Sequence, residues 1–241
     1  MNQSMFSKAG LLACILFLGA LSACKTQQLN TLSHREKRSG WQLLFNGKNL
    51  DGWHGYLMDK PGTMWKVRDS AIMLDHTDGG TGGDLVTNGE YENFDLQLDW
   101  KISVTGNSGI IFDVHEDPKY RETYLTGPEM QVLDNVKASD NKKKDHLAGS
   151  LYDLIPCDPS TVHPTGQWNH VRVLLDKGHL TFWMNGKKVV ETQMWDAAWD
   201  KLVAGSKFHR WKEFATYHKG HIALQNHGHD VWYRNIRIRA L

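Results

Sequence analysis

Apolar and polar residues alternate with a period of two along most of the chain. The clearest run is "FDLQLDWKISV", which sets Phe94, Leu96, Leu98, Trp100, Ile102 and Val104 on one face. Asp95, Gln97, Asp99, Lys101 and Ser103 fall on the other, so the pattern predicts a long antiparallel strand with one buried and one solvated face. "WNHVRVLLDKGHLTFWMNGKKVVETQ" predicts three strands, joined at Asp176-Lys177-Gly178 and at Asn185-Gly186, the latter suited to a type I′ hairpin turn. "GHIALQNHG" and "VWYRNIRIRAL" predict two more, and shorter strands are expected near Trp41–Phe45, Trp65–Val67, Ile72–Leu74 and Asp84–Thr87. One segment departs from this period. Trp195, Ala198, Trp199 and Leu202 are spaced as on a helix, with Gly205 as a stop. Many short strands with Gly-rich turns and one helical insertion near 195–205 predict an all-β fold, a jelly-roll β-sandwich of two antiparallel sheets.

The N-terminus lies outside this pattern. One lysine, an apolar stretch from Leu11 to Leu21 and then small residues read as a signal peptide over residues 1–23. Leu21-Ser22-Ala23-Cys24 resembles the bacterial lipobox, with Cys24 as the lipidated residue; an ordinary signal-peptidase site is the alternative. A lipid anchor implies the bacterial cell envelope, on the periplasmic side or at the outer-membrane surface. Residues 24–39 are polar and aperiodic and read as a flexible tether. Cys14 leaves with the signal and Cys24 carries lipid, so Cys157 has no partner for a disulfide and the domain over 40–241 is held by its core alone. A formal net charge of +1 gives no electrostatic case for nucleic acid.

Several segments together resemble one family. "WQLLFNGKNLDGWHGY", "GNSGIIF", "TGPEMQVLDN", "AGSLYDLI", "GQWNHVRV", "NGKKVVE", "SKF" and "GHIALQNHG…VWYRNIRIRAL" occur in the order seen in the bacterial 3-keto-disaccharide hydrolases. That family is also described as 3-keto-glucoside 1,2-lyases and 3-keto-2-hydroxy-glucal hydratases. The resemblance covers residues 41–241 and implies a concanavalin-A-like jelly roll. It departs at Gln225-Asn226-His227-Gly228, where Gln-Asp-His-Gly is expected. If that aspartate is a ligand or base in relatives, Asn226 marks an altered or inactive member.

The implied reaction starts from a ketone at C3, which acidifies the C2 proton. A base removes that proton, the C1 substituent leaves by β-elimination, and water adds to the resulting 2-hydroxy-glucal. Such a site needs a base, donors or a cation facing the enolate oxygen, and an acid for the leaving group. In "TYLTGPEMQVLDN" alternation puts Glu129 and Gln131 on one face. Glu129 is the candidate base, or else a structural carboxylate that caps a turn or pairs with an arginine. Gln131 would bond sugar hydroxyls, or sit on a solvated rim. His227 is a candidate base, acid or metal ligand, with His229 at His-x-His spacing, and Gln225 is a candidate sugar contact. Tyr152 is a candidate acid or enolate donor, and Lys207 a mobile cation. Asn107-Ser108-Gly109 reads as a turn before a strand; by the resemblance Asn107 borders the sugar cleft. Trp53, Trp195, Trp199 and Trp211 are candidates to stack on sugar rings, one or two of them at the cleft. A divalent metal would draw on Glu129, Asp134, His146 and His227. No Gly-x-Gly-x-x-Gly follows a strand, so a separate oxidoreductase would supply the 3-keto group.

Two other readings remain. Laminarinase-type glycosidases carry Glu-x-Asp-x-x-Glu, against Glu129-x-Gln131-x-x-Asp134 here. Alternation turns Asp134 away from Glu129 unless a bulge intervenes, which leaves a poor retaining pair. A non-catalytic carbohydrate-binding module would use the same fold.

Overall fold

The computed structural model describes Met1 and residues 28–241. The signal peptide and Cys24 lie outside the described residues. A short helix, α1 (His34–Arg38), is followed by β1 (Gln42–Leu43), β2 (Trp53–Gly55), β3 (Trp65–Arg68), β4 (Ala71–Leu74), β5 (Leu85–Thr87) and β6 (Phe94–Ile102). Then come β7 (Asn107–Val114), β8 (Glu129–Leu133), β9 (Asn169–Asp176), β10 (His179–Met184) and β11 (Lys187–Gln193), helix α2 (Ala197–Ala204), β12 (His221–Leu224) and β13 (Val231–Ala240). The larger sheet runs β11-β10-β9-β6-β13-β4-β3, with β1 also beside β13; the smaller runs β2-β5-β12-β7-β8. Every strand pair is antiparallel.

The period-two pattern explains the sandwich. Phe94, Leu96, Leu98, Trp100 and Ile102 of β6 are all buried, and Phe112 stacks edge-on between Phe94 and Phe182, linking the sheets. The expected turns form at Lys177-Gly178 and Asn185-Gly186, where all four residues have φ between +50° and +83°, as type I′ geometry requires. Asp196 caps α2 by accepting the Trp199 amide, and Gly205 ends it. The outer face of β6 is drier than alternation implies. Asp95 is buried there because Arg172 binds it through two bonds of 2.7 and 2.9 Å and Arg239 adds a third.

Two expectations need correction. Asn107-Ser108-Gly109 is not a turn; it begins β7, whose residues are buried at all eight positions. The turn lies earlier, where the Gly106 amide donates to Ser103 and Thr105 has φ +64°. Nor do residues 28–39 behave as a tether. Ser33 and Glu36 close a capping box on α1, and Glu36 pairs with Arg237 of β13. Asn30 is buried and exchanges reciprocal 2.8 Å backbone–side-chain bonds with Asn235, while its carboxamide donates to the Ser70 carbonyl. A polar segment without periodicity docks here through hydrogen bonds, which hydrophobic patterning does not register.

Asn30→Ala removes one partner from each of two buried bonds and should cost about 1–3 kcal/mol. Urea denaturation checks it, and an unchanged midpoint would show that the docking adds nothing to stability.

Candidate active site

The smaller sheet turns Met130 and Val132 of β8 into the core, so Glu129 and Gln131 point outward. On β7 the same outward face carries Asn107, Gly109 and Ile111, and the register pairs Ile111 with Glu129 and Gly109 with Gln131. Gly109 is the space-maker. A Cβ there would lie 2.0 Å from Oε1 of Glu129 and 2.6 Å from its Cδ. The glycine lets the carboxylate lie flat over β7. Beneath it the Ser108 hydroxyl, turned into the core, donates to the Gln225 carbonyl, and the Gln225 amide donates to Gly109.

A cleft of about 260 Å³ opens over this surface. Asn107, Glu129, Gln131, Tyr152, Lys207, Gln225 and His227 all line it, so seven side chains singled out from five separate segments come together. Three aromatic rings, Tyr124, Phe208 and Trp211, form an apolar wall, with Trp211 5.5 Å from Tyr124 and 5.6 Å from Phe208. Tyr124 and Phe208 escaped sequence reasoning because each sits in a short irregular turn. Trp211 is the tryptophan that reaches the cleft. Trp53 does not: it is buried in the core, its indole N–H donating to the Leu44 carbonyl at 2.5 Å. Trp195 and Trp199 line a neighbouring groove, where Trp195 stacks on His218 at 3.8 Å.

Glu129 is only 6% exposed. Burial raises its carboxyl to about 8, with Lys207 opposing and Asp84 and Asp140 adding to the rise. Lys207 is lowered in turn, by burial first, with the charges of Glu129, Asp153 and Asp140 working against that. Its backbone amide donates to Asp153 at 2.8 Å, and its Nζ stands 4.1 Å above the Tyr152 ring.

A second layer holds these groups. His146 lies between Asp140, 2.8 Å from Nδ1, and Asp153, 2.8 Å from Nε2. The Tyr152 hydroxyl donates to Asp140 at 2.8 Å. Burial and that bond raise the phenol far above its ordinary range, and the hydroxyl proton is committed to Asp140. Asp153 is the opposite case: burial would raise it, but hydrogen bonds from His146, the Lys207 amide and Lys143 bring it down to about 2. Asp84, which sequence reasoning passed over, is buried and raised by burial to about 6 while accepting from the Thr123 hydroxyl and the Asn226 amide.

The conceivable metal ligands do not gather. His146 has both ring nitrogens engaged, and the Asp134 carboxylate accepts from the amides of Thr105, Val136 and Lys137. His229 turns to the His227 carbonyl and stacks on His76, so the His-x-His pair does not converge. Among the described residues lining the cleft Glu129 is the sole carboxylate, which leaves no retaining pair. Asn226 lies outside the cleft lining; its Oδ1 accepts the Gly228 amide and closes the turn beneath His227.

The family model for the 3-keto-alpha-glucoside-1,2-lyase-like domain matches residues 40–239. The chain belongs to this family. A "3-keto-disaccharide hydrolase" of Bacteroides thetaiotaomicron is 32% identical over 90% of this chain and 84% of its own length. A crystal structure from Parabacteroides distasonis, provisionally described as a glycosyl hydrolase, superposes with a TM-score of 0.81 at 31% identity, covering 89% of this chain and 100% of that one. The carbohydrate binding module CBM66 from Bacillus subtilis, 11% identical with a TM-score of 0.50 over 78% of this chain and 96% of its own, shares the fold alone.

Two outcomes follow from the site's geometry. Gly109→Ala should leave the fold intact, because the clashing atoms end a flexible side chain, but it should displace the carboxylate and cut glycoside turnover about 10²-fold; unaltered turnover would deny Glu129 its place. The second concerns stability. A carboxyl near 8 in the folded state favours folding fully below its unfolded value of 4.5, and that contribution is lost as pH rises through 8. Glu129→Gln should therefore gain in Tm over the parent progressively between pH 4.5 and 8 and level off above; a pH-independent difference in thermal melts contradicts this.

Proposed function

We propose that the protein cleaves 3-keto-glycosides by elimination and rehydration, with Glu129 as the base at C2. Family membership supports hydrolase-type chemistry on sugars, and the observation that carries the finer reading is the buried Glu129 carboxylate with a value near 8. A base of that strength has gained driving force for proton removal, and its ionised fraction rises from about a tenth at pH 7 to about half at pH 8. A carboxylate of ordinary strength in water would be far weaker.

The steps balance as follows. Glu129 takes the C2 proton, and the C–H electron pair delocalises onto the C3 oxygen as an enolate. Lys207, half-buried in the same cleft, supplies the positive charge that holds this oxygen. The enolate reforms the ketone as the C1–O bond breaks, and the departing oxygen takes a proton from His227 at the cleft mouth or from water. Water then adds its oxygen at C1 of the 3-keto-2-hydroxy-glucal, giving up one proton to His227 or to solvent, while protonated Glu129 returns its proton to C2. The net change is hydrolysis. Gln131, Asn107 and Gln225 face the sugar hydroxyls; the Oδ1 of Asn107 is buried without a partner, and an unpaired acceptor of that kind is matched by a hydroxyl donor. Tyr124, Phe208 and Trp211 pack on the apolar face of the ring. A separate oxidoreductase supplies the ketone, and a lipid anchor at Cys24 holds the enzyme in the cell envelope.

The test is incubation with 3-keto-glucosides of both anomers in deuterated water, following products by mass spectrometry. Deuterium at C2, an ascending kcat/KM limb near pH 8 and a loss of about 10²–10⁴-fold in Glu129→Gln are expected. A parent that binds the sugar without turning it over sinks the proposal and leaves a binding module.

A further inference from the structure

Across the same outward face, at the opposite edge of the smaller sheet, two histidines and a glutamate converge. His54 lies on β2 between the core residue Trp53 and Gly55, and its Nε2 is 2.9 Å from Oε2 of Glu116. His221 opens β12 and turns outward while Ile222 packs in the core; its Nε2 stands 4.0 Å from the same oxygen and 3.8 Å from Oε1 of Glu90. Four inter-strand spacings separate β2 from β8 and two separate β12 from β8, so across the sheet this group spans roughly 10 to 19 Å from Glu129.

The remaining ring nitrogens are what make the cluster informative. Nδ1 of His54 donates to the Asn88 side-chain oxygen at 2.7 Å, and Nδ1 of His221 donates to the Thr87 carbonyl at 2.7 Å. Both imidazoles are thereby pinned by outer carbonyl acceptors with Nε2 facing Glu116, the arrangement that orients histidine ligands around a metal. Oε1 of Glu116 is itself held by the Leu57 amide, so the carboxylate too is fixed in place. All three side chains are largely buried, at 16%, 13% and 21% exposed for His54, His221 and Glu116.

Two imidazoles on a tetrahedral zinc ion place their ring centres about 5.2 Å apart and each ring nitrogen about 3.4 Å from a carboxylate ligand. Here the ring centres are 5.9 Å apart, and the nitrogen–oxygen separations are 2.9 and 4.0 Å. Among the described residues no group of three His, Cys, Asp or Glu side chains is placed to hold a metal ion as the structure stands; ligation here requires the His54–Glu116 pair to open by about 0.5 Å and His221 to close on Glu116 by about 0.6 Å. We propose that His54, His221 and Glu116 form a second site, binding one borderline divalent cation of the zinc type through both Nε2 atoms and Oε2, with water or Glu90 completing the tetrahedron.

The ion would take the place of the direct His54–Glu116 contact. It would also tie three separate segments: the edge strand β2, the start of β12, and the stretch after β7 that carries Glu116 and continues to Tyr124 in the cleft wall. That stretch covers the small apolar cluster of Tyr56, Val86, Ile111, Val114 and Ala223. The ligation is independent of the sugar chemistry.

The test is titration of the full chain, purified without a polyhistidine tag and stripped with chelator, by zinc in calorimetry and by cobalt in visible absorption. Binding of one equivalent of zinc and an intense tetrahedral-type cobalt spectrum are expected. His54→Gln, His221→Gln and Glu116→Gln should each abolish the cobalt spectrum, Asn88→Ala should weaken zinc binding about 10-fold through its hold on His54, and His227→Ala should change neither. Absence of stoichiometric binding by the parent, or a cobalt spectrum that survives in His54→Gln/His221→Gln or is lost in His227→Ala, overturns the proposal. None of these readouts depends on glycoside turnover, so failure here is distinct from failure of the elimination reading.

Discussion

Glu129 has a carboxylate held out of water over a bare stretch of backbone, and most of the cleft follows from accommodating it. A charge buried alone is expensive enough that the group takes up a proton instead. The price is visible as its shift to about 8, at about 1.4 kcal/mol per unit. The sheet meets that demand sterically and electrostatically. Gly109 supplies the space, and Lys207 limits the shift by standing in the same cleft. Neither suffices alone: without the glycine the carboxylate has nowhere to lie, and without the lysine its ionised form has no counterpart.

The neighbouring acids show how far environment separates groups of one chemistry. Asp153, twenty residues beyond the end of β8, receives hydrogen bonds from His146, Lys143 and the Lys207 amide and falls to about 2, whereas Glu129, with burial as its largest influence, rises to about 8. The ionised Asp153 anchors the backbone of Lys207, and Asp140 fixes Tyr152, over whose ring the Lys207 ammonium rests. This hydrogen-bonded layer thus positions a cation beside a carboxyl raised to about 8. The division has chemical content, because a base must gain and lose its proton during each cycle while its supports must not.

Legibility in the sequence tracked the range of the interaction. The two hairpin turns, the Gly205 stop of α2 and the shared face of Glu129 and Gln131 are set by residues within a few positions of one another, and local spacing and turn composition exposed them. Asn107-Ser108-Gly109 looked like turn chemistry because its composition is that of a turn; its real role comes from Glu129, twenty residues on and across the β7–β8 ladder. Trp53 was misplaced for a related reason: an indole suits either a sugar or a core, and the Leu44 carbonyl that fixes its choice belongs to another segment. Tyr152 carried no sign of Asp140, and Asn30 none of Asn235. The convergence of His54, Glu116 and His221 draws on three distant segments, so one-dimensional spacing could not have revealed it.

The single-acid cleft also bears on which chemistry the jelly roll can host here. Direct retaining hydrolysis needs two carboxyls facing each other across the sugar, and the second candidate, Asp134, is committed to three backbone amides in the turn after β8. Elimination asks less of the protein in carboxylates and more in charge stabilisation, because the ketone already in the substrate provides the electron sink. One base with a raised value, one desolvated cation and an apolar wall are then sufficient. The amide at Gln131 fits the same logic, since a second ionised carboxylate so close to Glu129 would push its value higher still and take it out of the working range. Under the elimination proposed above, the Glu-x-Gln pair would be the minimal floor for abstracting a proton already made acidic by its neighbouring carbonyl.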